Sequence, residues 1–232
     1  MHNKLTAIIL YTDLIRGTKT KQCKSVYQIT QKTTILQHQI KSLKEKNKQI
    51  EIVVVAGKGY KDIEGIIKTL RFKNVKVIHE PKYSKFNQAE LCINIINTEN
   101  IENNTIIILG DVLFKGIDFG KLNNNTAWLI NKDRQGFNIR CRYNSNTQAE
   151  YFFYDIPGEK QWSGIVLLNS KTIKTIINNI CNDTNTKQLF LFEILNILIE
   201  NHGSIDIKML EYKNIMKIIN NNDTNKAKAF IR

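Results

Sequence analysis

The sequence predicts an α/β fold in which a Rossmann-like, mostly parallel mixed sheet is flanked by helices. Strand-like apolar stretches alternate with amphipathic stretches through the first half of the chain, and a Gly-Asp pair follows the fourth apolar stretch. The expected buried strands cover residues 5–10, Glu51–Ala56, Val75–His79 and 105–109. This alternation is typical of a parallel sheet with right-handed crossovers, which binds ligands at the carboxyl ends of its strands.

The helices between these strands are predicted from the spacing of apolar residues. Ile35, Ile40 and Leu43 recur at helical spacing while lysines lie on the other faces, which predicts an amphipathic helix over residues 34–46. The same pattern predicts helices at Tyr60–Leu70 and at 85–97.

The second half of the chain has a different pattern. Strand-like segments separated by hairpin-length gaps predict a mixed or antiparallel extension of the sheet; they cover residues 127–131, 138–143, 150–155 and 162–168. Two helices are expected at 170–180 and 187–201, followed by a strand at 205–210 and a C-terminal helix at 223–231. We expect one domain over residues 1–232, with its two halves meeting near residue 115.

Composition narrows the class of protein. The 232 residues are 42% hydrophobic and 24% charged, which argues against a disordered chain, a fibre or a disulfide-rich miniprotein. No stretch has the length of a signal-peptide core or a membrane span, so we expect a soluble, cytoplasmic protein. The four scattered cysteines form no C-x-x-C pair and are expected to be free thiols.

The charge is strongly basic. Thirty-four Lys and Arg against 21 Asp and Glu give a net charge of +13, which favours an anionic partner such as a polyphosphate, nucleic acid, an acidic membrane or an acidic protein. The abundance of Asn, Lys and Ile is equally well explained by an AT-rich genome. Without an aromatic RNA-binding platform or a helix-turn-helix pattern, the nucleic-acid hypothesis rests on charge alone, so nucleic acid is not the favoured partner.

Two segments carry candidate chemistry. Asp111 comes just past a buried strand and next to Gly110, a position that suits a magnesium ion bridging phosphate oxygens, although an Asp there could also simply cap a turn. Four cations follow the first strand, where they could neutralise a triphosphate or else form a solvated face; they are Arg16, Lys19, Lys21 and Lys24.

The order of these features resembles the nucleotidyltransferases that make nucleotide-activated sugars and related alcohols, especially the small phosphocholine and sugar-phosphate cytidylyltransferases. The resemblance covers nearly the whole chain and implies a GT-A-like fold of the nucleotide-diphospho-sugar transferase type. The matching segments are Ala7-Ile8-Ile9-Leu10, Ile35-Leu36-Gln37-His38-Gln39-Ile40, residues 51–55 and 83–91, Gly110-Asp111-Val112-Leu113-Phe114, Trp162-Ser163-Gly164-Ile165 and residues 223–230.

The resemblance implies a reaction in which an acceptor phosphate attacks the α-phosphate of an NTP and pyrophosphate leaves, with Mg²⁺ as cofactor. The partners it implies are an NTP and a phosphorylated sugar or amino alcohol, bound by residues 1–115 and 116–232 respectively. By position, Asp111 and Lys24 would both be catalytic residues, since Asp111 would hold the metal and Lys24 would face the phosphates. Substrate-binding positions would be Arg16, Asn87 near the base or ribose, Gly110, and Trp162 and Gly164 in the wall of the acceptor pocket.

The chain also departs from the family pattern. Asp13 and Ile15 stand where the first loop of the family has glycines, and a carboxylate there would repel phosphate. Ile219 stands where the second metal-binding aspartate is expected, and Lys217 replaces the acid before it. Three hypotheses therefore stay open: an active, divergent nucleotidyltransferase; an inactive relative that acts as a binding or assembly module with a protein partner; and a nucleic-acid-binding protein.

Overall fold

The computed structural model describes residues 4–11, 26–57, 59–83, 86–120, 122–157, 159–176, 189–201 and 203–232. In chain order the elements are β1 (Leu5–Tyr11), β2 (Gln28–Thr30), β3 (Thr33–Thr34), α1 (Ile35–Lys46), β4 (Glu51–Ala56), α2 (Tyr60–Leu70), β5 (Val75–His79), α3 (Gln88–Thr98), β6 (Asn104–Leu109), β7 (Val112–Phe114), β8 (Thr126–Ile130), β9 (Ile139–Tyr143), β10 (Ala149–Tyr154), β11 (Lys160–Leu168), α4 (Ser170–Thr175), α5 (Leu191–Glu200), β12 (Asp206–Leu210), β13 (Ile215–Lys217) and α6 (Thr224–Ile231).

The main sheet is parallel at one end and mixed at the other. Its strand order is β10-β9-β11-β6-β1-β4-β5, and β6, β1, β4 and β5 run parallel. Strand β11 runs antiparallel to β6 and also pairs with β8, which pairs with β12. The predicted α/β fold with a mixed, mostly parallel sheet is confirmed.

The sheet is covered on both faces because its central strands are apolar on both sides. In β1, Ala7 and Ile9 pack into a core with residues of α1 and α2, whereas Ile8 and Leu10 pack into a second core with residues of α3 and α5. Burial of a continuous apolar strand between two helical layers is what the run of residues 5–10 predicts.

Helix α1 begins at a capping box. The Thr34 hydroxyl accepts a hydrogen bond from the Gln37 amide at 3.2 Å, and the Gln37 side chain accepts one from the Thr34 amide at 2.8 Å. These contacts satisfy two backbone donors at the helix start, so the helix begins at Ile35, as the apolar spacing predicts.

Several short elements escape the sequence patterns. The β2–β3 hairpin and the antiparallel β7–β13 ribbon have strands of two or three residues, too short for a periodic signal. Helix α3 starts at Gln88, later than predicted, because Asn87 caps it. Helix α5 spans Leu191–Glu200 within the predicted 187–201, and the predicted residues 177–180, 187 and 188 lie outside the described part of the chain.

One edge of the main sheet is closed by a side chain. Asn196 of α5 accepts a hydrogen bond from the Phe152 amide of β10 and donates one to the Phe152 carbonyl, both at 2.7 Å. The amide therefore pairs with the outer backbone of β10 as a neighbouring strand would.

Two of the four cysteines belong to the described residues. Cys92 and Cys141 are free and buried, and burial raises the pKa of each thiol to about 12, so both are protonated at neutral pH. Cys23 and Cys181 lie outside the described residues.

No helix formed by the described residues combines the length and apolar character needed to cross a membrane.

His38 on α1 should make stability depend on pH. Its Nε2 lies 3.0 Å from the Phe114 carbonyl oxygen, and burial lowers its pKa from the ordinary 6.5, with Lys115 and Lys41 adding repulsion. The folded state thus favours the neutral ring, whereas the unfolded chain takes up a proton near pH 6.5.

We therefore expect the free energy of unfolding to be highest above pH 6.5 and to decline as the pH falls from 6.5 towards the lowered folded pKa. Urea titrations from pH 5 to 8 on wild type and His38→Gln would measure this, and the variant should show a smaller decline. An identical pH profile for both proteins would contradict the assignment.

Candidate functional site

The candidate site lies at the carboxyl edge of the parallel strands. Strand β1 lies between β4 and β6. The chain adds β4 and β5 on one side of β1 and then crosses to add β6 on the other side, so the strand order reverses at β1. In open α/β sheets this reversal leaves a crevice at the carboxyl ends of the strands, where ligands bind. Tyr11, Gly57 and Gly110 end or follow β1, β4 and β6 at this edge.

The turn between β6 and β7 is held by a buried glutamine. Gln39 of α1 is fully buried, and its Nε2 donates to the Val112 carbonyl oxygen at 2.7 Å. Its Oε1 accepts a hydrogen bond from the Tyr11 hydroxyl. One side chain on α1 therefore ties the end of β1 to the turn that carries Asp111.

Gly110 packs closely between β1 and β6. Its amide donates to the Leu10 carbonyl oxygen at 2.9 Å. A Cβ on Gly110 would lie 2.5 Å from that oxygen and 2.6 Å from the Tyr11 ring. Glycine is therefore required here because the Leu10 carbonyl and the Tyr11 ring of the neighbouring strand leave no room for a side chain. The role of Gly110 in substrate binding stays a prediction.

Asp111 is buried and paired with a lysine. Because β13 pairs with β7, Lys217 lies opposite Val112, and the Ile218 amide donates to the Asp111 backbone carbonyl at 2.8 Å. The Lys217 Nζ lies 3.6 Å from Asp111 Oδ2, with side chains 22% and 8% exposed respectively. The carboxylate that the sequence assigns to a metal therefore faces an ammonium group.

Two other carboxylates, those of Asp223 and Asp206, are engaged elsewhere. Asp223 Oδ2 accepts hydrogen bonds from the Ile219 and Asn220 amides at 2.9 and 3.1 Å, so this buried carboxylate fixes the turn before α6. Asp206 begins β12, at the amino end of the strands, where it accepts a hydrogen bond from Asn124 at 3.0 Å. Neither adds a second acid beside Asp111.

These residues do not fit a magnesium ion. Magnesium binds oxygen ligands in octahedral geometry and favours carboxylates. Asp111 faces a cation, and the positions where the resemblance places two further acids are Lys217 and Ile219. Among the described residues, no group of three or more His, Cys, Asp or Glu side chains could hold a metal ion.

Asn87 lies at the start of α3, which follows β5 and therefore begins at the same edge of the sheet. Its Oδ1 accepts a hydrogen bond from the Glu90 amide at 3.0 Å, which caps the helix. Its Nδ2 is buried and has no hydrogen-bond partner within the described structure. A buried amide donor without a partner costs free energy, and a ligand acceptor would satisfy it.

Trp162 and Gly164 occupy a bulge in β11. The Trp162 indole donates to the Ile165 carbonyl oxygen at 3.0 Å, and its ring packs edge-to-face against Phe152 with centroids 5.9 Å apart. Gly164 has a φ of +78°, which strongly favours glycine, and a Cβ there would lie 2.9 Å from Leu109. The described contacts of both residues are internal, and their role in acceptor binding stays a prediction.

The basic loop after β1 lies outside the described residues. The loop contains Arg16, Lys19, Lys21 and Lys24, and also Asp13 and Ile15.

The role of Gln39 was not predicted from the sequence. A polar residue that lies beside Leu36, Ile40 and Leu43 on the apolar stripe of α1 would have indicated a buried polar contact. The pairing of Lys217 with Asp111 was not predicted either, and no local pattern indicates it.

Comparison with known proteins identifies the fold. Neither a family model nor a curated protein matches the chain. The structure is similar to the CTP:phosphocholine cytidylyltransferase of Streptococcus pneumoniae, with a TM-score of 0.80 and 18% identity, covering 99% of this chain and 100% of the other. It is also similar to the inositol-1-phosphate CTP transferase of T. maritima, with a TM-score of 0.75 and 14% identity over 99% and 96% of the two chains.

A nucleoside-diphosphate-sugar pyrophosphorylase from Vibrio cholerae RC9 matches 97% of the chain, with a TM-score of 0.77 and 10% identity. That match covers 99% of the other chain. The protein therefore has the nucleotidyltransferase fold, as the sequence resemblance predicts.

Gln39 should contribute strongly to stability. Gln39→Leu leaves the Tyr11 hydroxyl and the Val112 carbonyl without this buried partner, so we expect a loss of about 1–3 kcal/mol in the free energy of unfolding. Urea denaturation measures the loss. Gln28→Leu, at an exposed position in β2, is the control and should stay within about 0.5 kcal/mol of wild type. Equal effects of the two changes would contradict this role.

Asp111 and Lys217 should be energetically coupled. We expect Lys217→Met and Asp111→Asn each to cost about 1–3 kcal/mol, because each removes an opposite charge that lies beside a buried or partly buried charged group. The double variant should lose less than the sum, with a coupling of about 0.5–3 kcal/mol in a double-mutant cycle. Lys213→Met, in the exposed pair with Glu211, should have no measurable effect. Additive losses would show that the two side chains do not interact.

Proposed function

We propose that the protein binds a nucleoside triphosphate at the carboxyl edge of its parallel strands and has lost magnesium-dependent nucleotidyl transfer. The observation that carries this proposal is the buried Asn87 Nδ2, a donor without a partner among the described residues at the start of α3. A base or ribose supplies the oxygen or nitrogen acceptor that this amide lacks. The fold supports the choice of ligand, since its structural neighbours include a CTP:phosphocholine cytidylyltransferase and an inositol-1-phosphate CTP transferase.

The loss of transfer is inferred from the charge around Asp111. Transfer of a nucleotidyl group to a phosphate acceptor brings several negative oxygens together, and catalysis depends on positioning and on neutralising that charge. A divalent ion supplies such charge when carboxylates hold it, but Asp111 is paired with Lys217. The residues present favour binding of the nucleotide over its conversion.

A second candidate function is an active transferase that joins an NTP to a phosphorylated sugar or amino alcohol and releases pyrophosphate. The observation in its favour is the retained carboxylate of Asp111 directly after β6. Arg16 and Lys24 would then contribute positive charge from the basic loop, and Gly110, Trp162 and Gly164 would contribute to substrate binding.

An inactive nucleotide-binding form, in contrast, would act as a binding or assembly module for a protein partner.

Nucleotide binding is tested through the amide of Asn87. Asn87→Ser keeps a side-chain cap for α3 but removes the amide donor, whereas Asn87→Ala removes both. In isothermal titration calorimetry with CTP, UTP, ATP and GTP, we expect wild type to bind at least one nucleotide. Asn87→Ser should bind that nucleotide up to about tenfold more weakly, since one hydrogen bond contributes about 0.5–1.5 kcal/mol.

Thermal unfolding without nucleotide separates the two roles of Asn87. Asn87→Ser should unfold close to the wild-type temperature, and Asn87→Ala should unfold at a lower one because its helix cap is lost. Absence of binding to every nucleotide by folded wild type would refute the proposal. Pyrophosphate release from an NTP with Mg²⁺ and phosphocholine, inositol-1-phosphate or glucose-1-phosphate would favour the transferase instead.

A further inference from the structure

We propose that the ammonium group of Lys217 replaces a divalent cation in this site, so that the protein binds nucleotide phosphates without a metal. The inference rests on the proposed nucleotide binding and goes beyond it by naming the group that neutralises the phosphates. Its basis is the contact between Lys217 Nζ and Asp111 Oδ2, which are 3.6 Å apart at the end of β6.

The position of Lys217 is set by the backbone. Lys217 is the last residue of β13, opposite Val112 in β7, and the following amide donates to the Asp111 carbonyl at 2.8 Å. The two backbones are therefore joined on both sides of the ion pair. Asp223 fixes the next turn by accepting from the Ile219 and Asn220 amides, so the segment that carries Lys217 is held at both ends.

The side chain of Lys217 is also restrained. Its ammonium lies 5.8 Å from the centre of the Phe137 ring, within reach of a cation–π contact. Its Cδ lies 3.5 Å from the place where a Cβ of Gly136 would be, so the loop before β9 lies against its stem. A lysine restrained in this way presents its charge with less loss of side-chain freedom than a solvated one.

The number of charges in the site is consistent with Lys217 in the place of a metal ion. Two carboxylates require a divalent ion to reach neutrality, whereas one carboxylate and one ammonium are neutral together. At 3.6 Å the nitrogen is beyond ordinary hydrogen-bond distance from Asp111 Oδ2, and an ammonium carries three N–H donors. With 22% of the side chain exposed, Lys217 can donate to a phosphate oxygen while still opposing Asp111.

The first test uses Mn²⁺ alone, with binding followed by electron paramagnetic resonance of the free ion. We expect wild type to show no binding below millimolar Mn²⁺. Lys217→Glu places two carboxylates at the site and should bind Mn²⁺ at least tenfold more tightly than wild type. Lys171→Glu is the matched control: it makes the same charge change at an exposed position of α4, at the opposite edge of the sheet, and should behave as wild type.

The second test measures CTP affinity by calorimetry in EDTA and in Mg²⁺. Wild type should bind equally, within about twofold, in both buffers, and Lys217→Met should bind at least tenfold more weakly in EDTA. Lys217→Met also keeps the test valid if Lys217→Glu fails to fold, as checked by circular dichroism. Submillimolar Mn²⁺ binding by wild type, or CTP binding only with Mg²⁺, would overturn the inference while leaving nucleotide binding intact. If no nucleotide binds at all, the proposed function fails, and the Mn²⁺ titration still decides whether Lys217 replaces the ion.

Discussion

The arrangement of the candidate site depends on one buried side chain, the amide of Gln39. It is fully buried, accepts from Tyr11 at the end of β1 and donates to Val112 at the start of β7. Because a buried amide is costly unless both its ends are paired, the two strand ends and α1 are constrained together. The direction of β7 then determines where β13 can pair, and this pairing brings Lys217 to Asp111. Through these backbone contacts Gln39 helps to position the turn that carries Asp111.

The site combines the nucleotidyltransferase fold with an ion pair at the turn after β6. At the turn after β6 the Asp111 carboxylate lies beside the ammonium of Lys217, a cation that is covalently attached to the chain. A metal ion can be shared between protein and substrate, move with the reacting oxygens and leave with the product. A lysine is tied to its backbone and carries a single charge. If Lys217 takes the place of the metal as we propose, the site would favour a ligand that remains bound, and binding would not depend on the metal concentration.

Much of the fold can be predicted from the sequence because its signals are local. The parallel strands are continuous apolar runs, and the Thr34–Gln37 capping box marks the start of α1 within four residues. The β7–β13 ribbon cannot be found in this way, because each strand has three residues and the two lie about a hundred positions apart. Asp111 could be singled out by its place after a strand, whereas its pairing with Lys217 depends on that ribbon. The same holds for Gly110. The sequence indicates that another group packs closely against this glycine, but only the structure shows that the group is Tyr11.

The hydrogen bonds between Asn196 and Phe152 also affect how copies of this chain meet. Strand β10 ends the main sheet and carries exposed aromatic side chains at Tyr151 and Tyr154, a combination that favours edge-to-edge association of β-sheets. With the Phe152 amide and carbonyl taken up by a side chain of α5, a strand from another molecule finds no continuous row of free backbone groups at that point. Asn196 thereby interrupts the row of backbone groups along which another strand could pair with this edge.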